Sequence, residues 1–340
     1  MVGQGLRAAL VTPLTGPLAR YGRAGATALE LWARQAGVQL EIADTRPSAA
    51  AAVAAATARW PVDVLFGPYG AGPAVAAARA TASVLWNHGG ATIRLARPAF
   101  PNVVNVPAPA LMYLAAVIDA VGADVLAGGH AVLLHSTTGF GHEVADGARR
   151  AAHDVGLAIT PVAFDPGMGE TAARQAHGSD ADVLLVAGGF DDEVALASRL
   201  LARRWRVAAF VAAGVDEVLG SLGERLSGVY GPCQWVPEAA PEPEEGPDAG
   251  WFTAAYRQAS GSPPPYPAAA AFAAGVLWER CMRKAGGTEP DAVAAAARRL
   301  ATTTLFGQFR LDSTTGLQVG HRVGVVQWRG GRRIVVARPC

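Results

Sequence analysis

The strongest constraint in this chain is a pattern that occurs twice. An apolar run, residues 6–11, leads into the turn Thr12-Pro13-Leu14-Thr15-Gly16-Pro17-Leu18-Ala19-Arg20-Tyr21-Gly22, and an alanine-rich helical run, residues 25–35, follows. Farther along, residues 131–135 are again apolar and Ser136-Thr137-Thr138-Gly139-Phe140-Gly141 is again a turn bearing hydroxyls and glycine. Residues 144–155 then read as a helix with alanines on its packing face. Strand, turn and helix make the first half of a βαβ unit, and ligands of open α/β sheets collect beyond the carboxyl ends of the strands. Both turns close on an aromatic residue and a glycine, Tyr21-Gly22 and Phe140-Gly141. The next strands correspond as well, Val62-Asp63-Val64-Leu65-Phe66-Gly67-Pro68-Tyr69-Gly70 with Ala181-Asp182-Val183-Leu184-Leu185-Val186-Ala187-Gly188-Gly189-Phe190. The expected fold is α/β, with two similar doubly wound, Rossmann-like lobes.

A chain of 340 residues, 51% hydrophobic and 17% charged, is long enough to bury two such cores. Its 29 Lys and Arg balance 28 Asp and Glu, for a net charge of +1. The arginines are scattered along helices or gathered only in the short hairpin 329–333, so neither nucleic acid nor membrane insertion is expected. Cys233, Cys281 and Cys340 are far apart and outside any CxxC pair, which favours free thiols and gives no metal site. Arg, Glu or Gly interrupts every alanine-rich helix, so no membrane span is expected. Residues 1–5 lead directly into the first strand without a charged n-region or an h-region. Either the chain is not exported or a leader has been removed.

Catalytic signatures are missing. There is no GxSxG elbow and no Walker A sequence, His142-Glu143 lacks the second histidine of HExxH, and the glycines after the third strand do not form GxGxxG. No enzyme activity and no cofactor are expected. What remains are glycine-lined strand ends. Gly67, Gly70 and Gly72 let a ligand approach the backbone where a helix starts near Pro73. In Asn87-His88-Gly89-Gly90-Ala91, the glycine N–H groups and the Asn side chain could hold an anion. Asp44 and Ser48 are expected to cap the helix after the second strand, and Asp191 and Asp192 to cap the helix ending at Arg203-Arg204.

The chain is expected to cross between lobes after Pro107-Ala108, near Trp235, and near residue 315, giving lobe 1 as 1–108 plus 236–315 and lobe 2 as 109–235 plus 316–340. The Pro/Glu-rich segment 236–248 reads as a surface linker. Helices at 251–259, 266–284 and 288–300, the last opened by Thr288-Glu289-Pro290-Asp291, should return to lobe 1.

In order and spacing these pieces resemble type I periplasmic binding proteins of the leucine/isoleucine/valine-binding class, the solute receptors of ABC importers. The resemblance covers nearly the whole chain. It is carried by Leu14-Thr15-Gly16-Pro17 with Tyr21-Gly22, Phe66-Gly67-Pro68-Tyr69 with Gly72, Trp86-Asn87-His88-Gly89-Gly90, Phe140-Gly141, Tyr266-Pro267-Ala268-Ala269, and Phe306-Gly307-Gln308-Phe309-Arg310 with Val326-Gln327-Trp328. It implies two lobes joined by a three-strand hinge, with a small ligand enclosed by hinge closure in the cleft between them. An ABC permease would be the partner of an exported chain, either periplasmic or lipid-anchored at the cell surface; a cytoplasmic sensor of the same fold is the alternative.

By this resemblance the ligand contacts would be Tyr21, Tyr69, Gly70, Ala71, Gly72, Asn87, His88, Gly89 and Gly90 in lobe 1, and Phe140, Phe190, Gly214 and Asp216 in lobe 2. Amino-acid-binding members offer a hydroxyl where this chain has Gly70-Ala71-Gly72, and an acid near Ala213-Gly214, where this chain has none before Asp216. Burying an ammonium without a carboxylate partner is costly. An aromatic or aliphatic carboxylic acid therefore fits at least as well as an amino acid, with Phe140, Phe190, Trp86 and Trp235 available to flank a ring.

Overall fold

The computed structural model describes residues 5–58, 61–203, 205–215 and 218–338. The chain divides into two compact units, one formed by the chain through Ala108 with Trp235–Arg322, the other by Pro109–Gln234 with the chain from Val323. Residues 316–322 pack with the first unit rather than with the second, where the sequence places them. Gln318 decides this: its Nε2 donates to Val106 O at 3.2 Å, and its Oε1 accepts from Arg310 N and Gly320 N.

The first unit opens with β1 (Arg7–Thr12), α1 (Ala19–Ala36), β2 (Gln39–Asp44), α2 (Ala49–Ala58), β3 (Val64–Phe66), α3 (Ala71–Ala80), β4 (Leu85–Asn87) and β5 (Val103–Asn105). The strands form one parallel sheet in the order β2-β1-β3-β4-β5. β3, β4 and β5 are short and wholly buried, as expected of parallel strands covered on both faces. Val11, Val53, Leu65, Val75 and Leu85 share the core on one face with α2 and α3. On the other face Trp32 of α1 stands edge-on to Phe66 and Trp278, with ring centroids 5.3 and 5.8 Å apart.

The second unit contains α4 (Tyr113–Val121), α5 (Ala123–Leu126), β6 (His130–Ser136), α6 (Gly139–Asp154), β7 (Ala158–Phe164), α7 (Gly169–Gly178), β8 (Val183–Ala187), α8 (Phe190–Leu200), β9 (Val207–Phe210) and β10 (Tyr230–Cys233). The chain then gives the first unit α9 (Ala249–Ser260), α10 (Tyr266–Ala285), α11 (Pro290–Arg299) and the antiparallel pair β11 (Ala301–Thr304) and β12 (Gly307–Arg310). β13 (Gly324–Arg329) and β14 (Arg332–Ala337) complete the second unit's sheet, ordered β14-β13-β10-β9-β8-β6-β7. It is parallel from β7 to β10, and β13 and β14 run antiparallel to their neighbours. Val132, Leu134, Leu184, Val186, Phe210 and Trp328 form its core with residues of α7 and α8.

Both units therefore have the doubly wound α/β architecture read from the repeated pattern. The differences lie at element ends. α1 and α6 begin earlier than their alanine runs, so Tyr21-Gly22 and Phe140-Gly141 sit in first helical turns. In α6 the cause is the Thr138 hydroxyl, which accepts from Gly141 N at 3.1 Å and caps the helix. The acids of α8 do not cap it: Gly189 is the N-cap, and Asp192 accepts instead from Gly167 N at 2.8 Å. Ser48 does cap α2, but Asp44 ties the preceding turn by accepting from Leu14 N and the Thr15 hydroxyl. No side chain caps α11.

Segment 236–248 is strapped to its unit. Glu244 accepts from Thr302 Oγ1 and Thr303 N, Glu245 pairs with Arg280 at 2.8 Å, and Val236 and Ala239 are buried. Cys233 and Cys281 are buried free thiols, and Cys340 lies outside the described residues. Among the described residues no helix is long and apolar enough to cross a membrane.

Small residues set helix spacing. A Cβ at Gly147 of α6 would overlap the backbone carbonyl of Leu111, so the bare backbone lets α6 close on the segment leading into α4. Gly147→Ala is expected to destabilise the protein by about 1–3 kcal/mol, because backbone has to move to admit the methyl group. Urea unfolding at constant m measures this, and an unchanged midpoint contradicts the packing argument.

Candidate functional site

In the first unit the strands deliver β3, β4 and β1 side by side at their carboxyl ends, and the loops that follow carry the residues expected to meet a ligand. Tyr69 follows β3 and Tyr21 opens α1; their rings lie 5.1 Å apart, inclined at 31°. Tyr266, at the start of α10, joins them, its hydroxyl 2.8 Å from that of Tyr69. The three tyrosines form one aromatic wall, in which the hydroxyls of Tyr69 and Tyr266 are linked. Arg20, exposed, places its guanidinium 5.7 Å from the Tyr21 ring centroid. Gly70 follows with φ +96°, and no side chain caps α3, so Ala71 and Gly72 present their backbone at a bare helix N-terminus.

The loop after β4 differs from expectation. Asn87 is completely buried, and its Oδ1 accepts from Gly90 N at 2.7 Å and Gly89 N at 3.3 Å. Its Nδ2 donates to Gly90 O and Asn105 Oδ1, each at 2.9 Å. The glycine N–H groups expected to receive an anion are thus already satisfied from within. His88 is also completely buried, directed at Gly25 of α1, where a Cβ would come within 3.1 Å of its ring. Among the described residues neither ring nitrogen has a hydrogen-bond partner, and burial lowers its pKa from 6.5 to about 4. Asn87 and His88 therefore shape the loop from beneath. Trp86 and Trp235 are also core residues, the latter donating from Nε1 to Leu305 O at 2.8 Å.

In the second unit Phe140 is half-buried and stands edge-on to Tyr113, 5.9 Å between centroids; Gln234 holds the Tyr113 hydroxyl at 2.9 Å. Phe190 is half-buried against the core of that unit. Gly214 is buried in the 3-10 turn Val211–Gly214, where a Cβ would overlap the Pro232 carbonyl, so it contributes backbone only. Asp216 lies outside the described residues.

Two features are not apparent in the sequence. Tyr266 reads there only as part of a helix-opening motif. Glu193 stands in sequence among the acids at the start of α8, yet it is completely buried and accepts from Gly188 N at 2.8 Å and Ala212 N at 2.7 Å. Burial pushes its pKa up to about 8 against the downward pull of those two N–H groups.

Residues 5–332 match the family described as periplasmic binding protein, and the chain belongs to that family. Among curated proteins no sequence match was found. Solved structures share the fold. The leucine-binding protein LivK of Thermotoga maritima superposes with a TM-score of 0.82 at 17% identity, covering 97% of each chain. A solute-binding protein of an ABC transporter from R. palustris, in complex with benzoate, gives 0.80 at 17%, covering 99% of this chain and 98% of that one. The branched-chain amino acid binding protein LivJ of Streptococcus pneumoniae, in complex with isoleucine, gives 0.80 at 14%, covering 99% and 100%. The family and these matches are binding proteins.

The lowered pKa of His88 has a definite sign. The unfolded chain binds the proton more readily, so neutral His88 contributes stability above pH 6.5 that is lost as pH falls toward 4. Glu193, with a raised pKa, slopes the opposite way, losing stability as pH rises from 4.5 toward 8. A comparison of wild type with His88→Leu isolates the first effect. The variant is expected to gain on wild type by roughly 2 kcal/mol between pH 7.5 and pH 5, by chemical denaturation. A pH-independent difference contradicts the burial of a neutral imidazole.

Proposed function

We propose that the protein is the extracytoplasmic solute receptor of an ABC importer, taking a small carboxylate-bearing metabolite, preferably one with a ring. The observation that carries this reading is the tyrosine wall of Tyr21, Tyr69 and Tyr266 beside the uncapped N-terminus of α3. Aromatic faces and edges suit an apolar ring, and backbone N–H groups at a helix start suit a carboxylate. Arg20 adds an exposed positive charge that attracts anions. Family membership and a benzoate complex among the structural relatives support the same reading. In the second unit Phe140, Phe190 and the Gly214 backbone are the proposed contacts, with Asp216 as a further candidate. An ABC permease is the proposed partner.

One observation favours an α-amino acid as a second reading. Asp191, in the first turn of α8 next to Phe190, is exposed and does not serve as the cap. It is a carboxylate that could meet an ammonium, and leucine- and isoleucine-type binders are among the structural relatives.

A thermal-shift series with benzoate, 3,4-dihydroxybenzoate, leucine and isoleucine tests both readings. At 100 times its dissociation constant a bound solute stabilises by about 2.7 kcal/mol. The benzoates are expected to raise Tm, and Tyr266→Ala to weaken their binding by about 1 kcal/mol. Shifts from the amino acids alone, abolished in Asp191→Asn, would establish the second reading; no shift from any of the four contradicts both.

A further inference from the structure

Glu193 is an unusual way to finish a strand-end loop. It sits at zero exposure in the first turn of α8, and its two oxygens divide between two different loops: Oε1 takes the N–H of Gly188, just beyond β8, and Oε2 that of Ala212, just beyond β9. β8 and β9 are sheet neighbours. The Ala212 end is a 3-10 turn held from its other side too. Trp328 Nε1 donates to Ala213 O at 2.9 Å, and Arg333 Nη1 donates to Gly214 O at 3.2 Å. The Gly188 end is equally constrained, since a Cβ there would lie 3.0 Å from the Phe164 ring, and Glu193 N donates back to Gly189 O at 2.9 Å.

We propose that Glu193 is a positioning residue for solute capture: its carboxyl group fixes the β8–α8 loop and the turn Val211–Gly214 to one another, and so sets where Phe190 and the Gly214 backbone are presented. The role rests on the solute-receptor reading above. Its physical basis is that both loops expose backbone N–H groups whose sheet partners have run out, and a single buried acceptor satisfies one from each. A buried carboxyl is a costly filler compared with an apolar side chain, and the extra cost is matched here by a cross-loop tie that an apolar residue does not make. Solute contacts held in place before binding raise affinity because less ordering remains to be done when the solute arrives.

The test compares wild type with Glu193→Leu, Glu193→Gln and Trp328→Phe. Without solute, amide hydrogen exchange at Gly188 and Ala212 is expected to accelerate roughly tenfold or more in Glu193→Leu and less in Glu193→Gln, which keeps one acceptor oxygen. The Kd of whichever of benzoate, 3,4-dihydroxybenzoate, leucine and isoleucine binds wild type is expected to rise roughly tenfold in Glu193→Leu, at a temperature where the variant is fully folded. Trp328→Phe removes only the donor to Ala213 O and should move Kd the same way by less. If Glu193→Leu does not fold, Glu193→Gln and Trp328→Phe carry the comparison. Faster exchange with unchanged Kd overturns the role, since a residue that merely stabilises the fold gives that result. Failure of wild type to bind any of the four probes overturns the receptor reading and this role with it. That outcome is distinct, because the exchange difference then appears without any binding to lose.

Discussion

A backbone N–H leaving the carboxyl end of a parallel strand has lost its sheet partner, and away from water it must find an acceptor elsewhere. Each unit meets this constraint with one buried polar side chain. In the first, Asn87 Oδ1 receives Gly89 N and Gly90 N while its amide nitrogen holds Gly90 O and Asn105. In the second, Glu193 receives Gly188 N and Ala212 N. Loops satisfied in this way keep a defined course. In the first unit these loops stand with the bare helix start at Ala71-Gly72 and the largely buried rings of Tyr21 and Tyr69; in the second, Phe140 and Phe190 are each half-buried.

The sheets beneath those loops depend on small residues. Alanines and glycines bring helices close enough for a few large side chains to fill the remaining space, as Gly275 does for Trp32 and Gly25 for His88. The arrangement has a polar cost in His88, an imidazole without hydrogen-bond partners among the described residues, held neutral by its surroundings. Its place under the loop after β4 links the acid stability of the first unit to the part of that unit proposed to meet solute.

The doubly wound architecture was legible because the strand-turn-helix pattern repeats with the same aromatic-glycine ending, and hydrophobic periodicity survives even in an alanine-rich chain. Where helices begin was less so: Thr138 recruits Gly139-Phe140-Gly141 into α6, although glycines favour turns in isolation. The site was only partly legible. Tyr21 and Tyr69 meet as adjacent rings, but that Tyr266 joins them depends on a contact spanning 197 residues, which no local pattern announces. Asn87 and His88 carry the residue types of a binding loop, and their inward direction is decided by strand pleat and by the space at Gly25. Glu193 reads in sequence as one more acid at a helix start favourable to the dipole; its burial is a tertiary fact.

The most direct measurement is a backbone-amide NMR titration of the labelled protein with benzoate and with leucine. One of them is expected to shift resonances concentrated at Tyr69 to Gly72, at Phe140, and at Phe190 and Gly214, with smaller changes around Tyr21 and Tyr266. Saturable shifts confined to other surfaces, with these loops silent, would contradict the claim that the strand ends of this chain receive the solute.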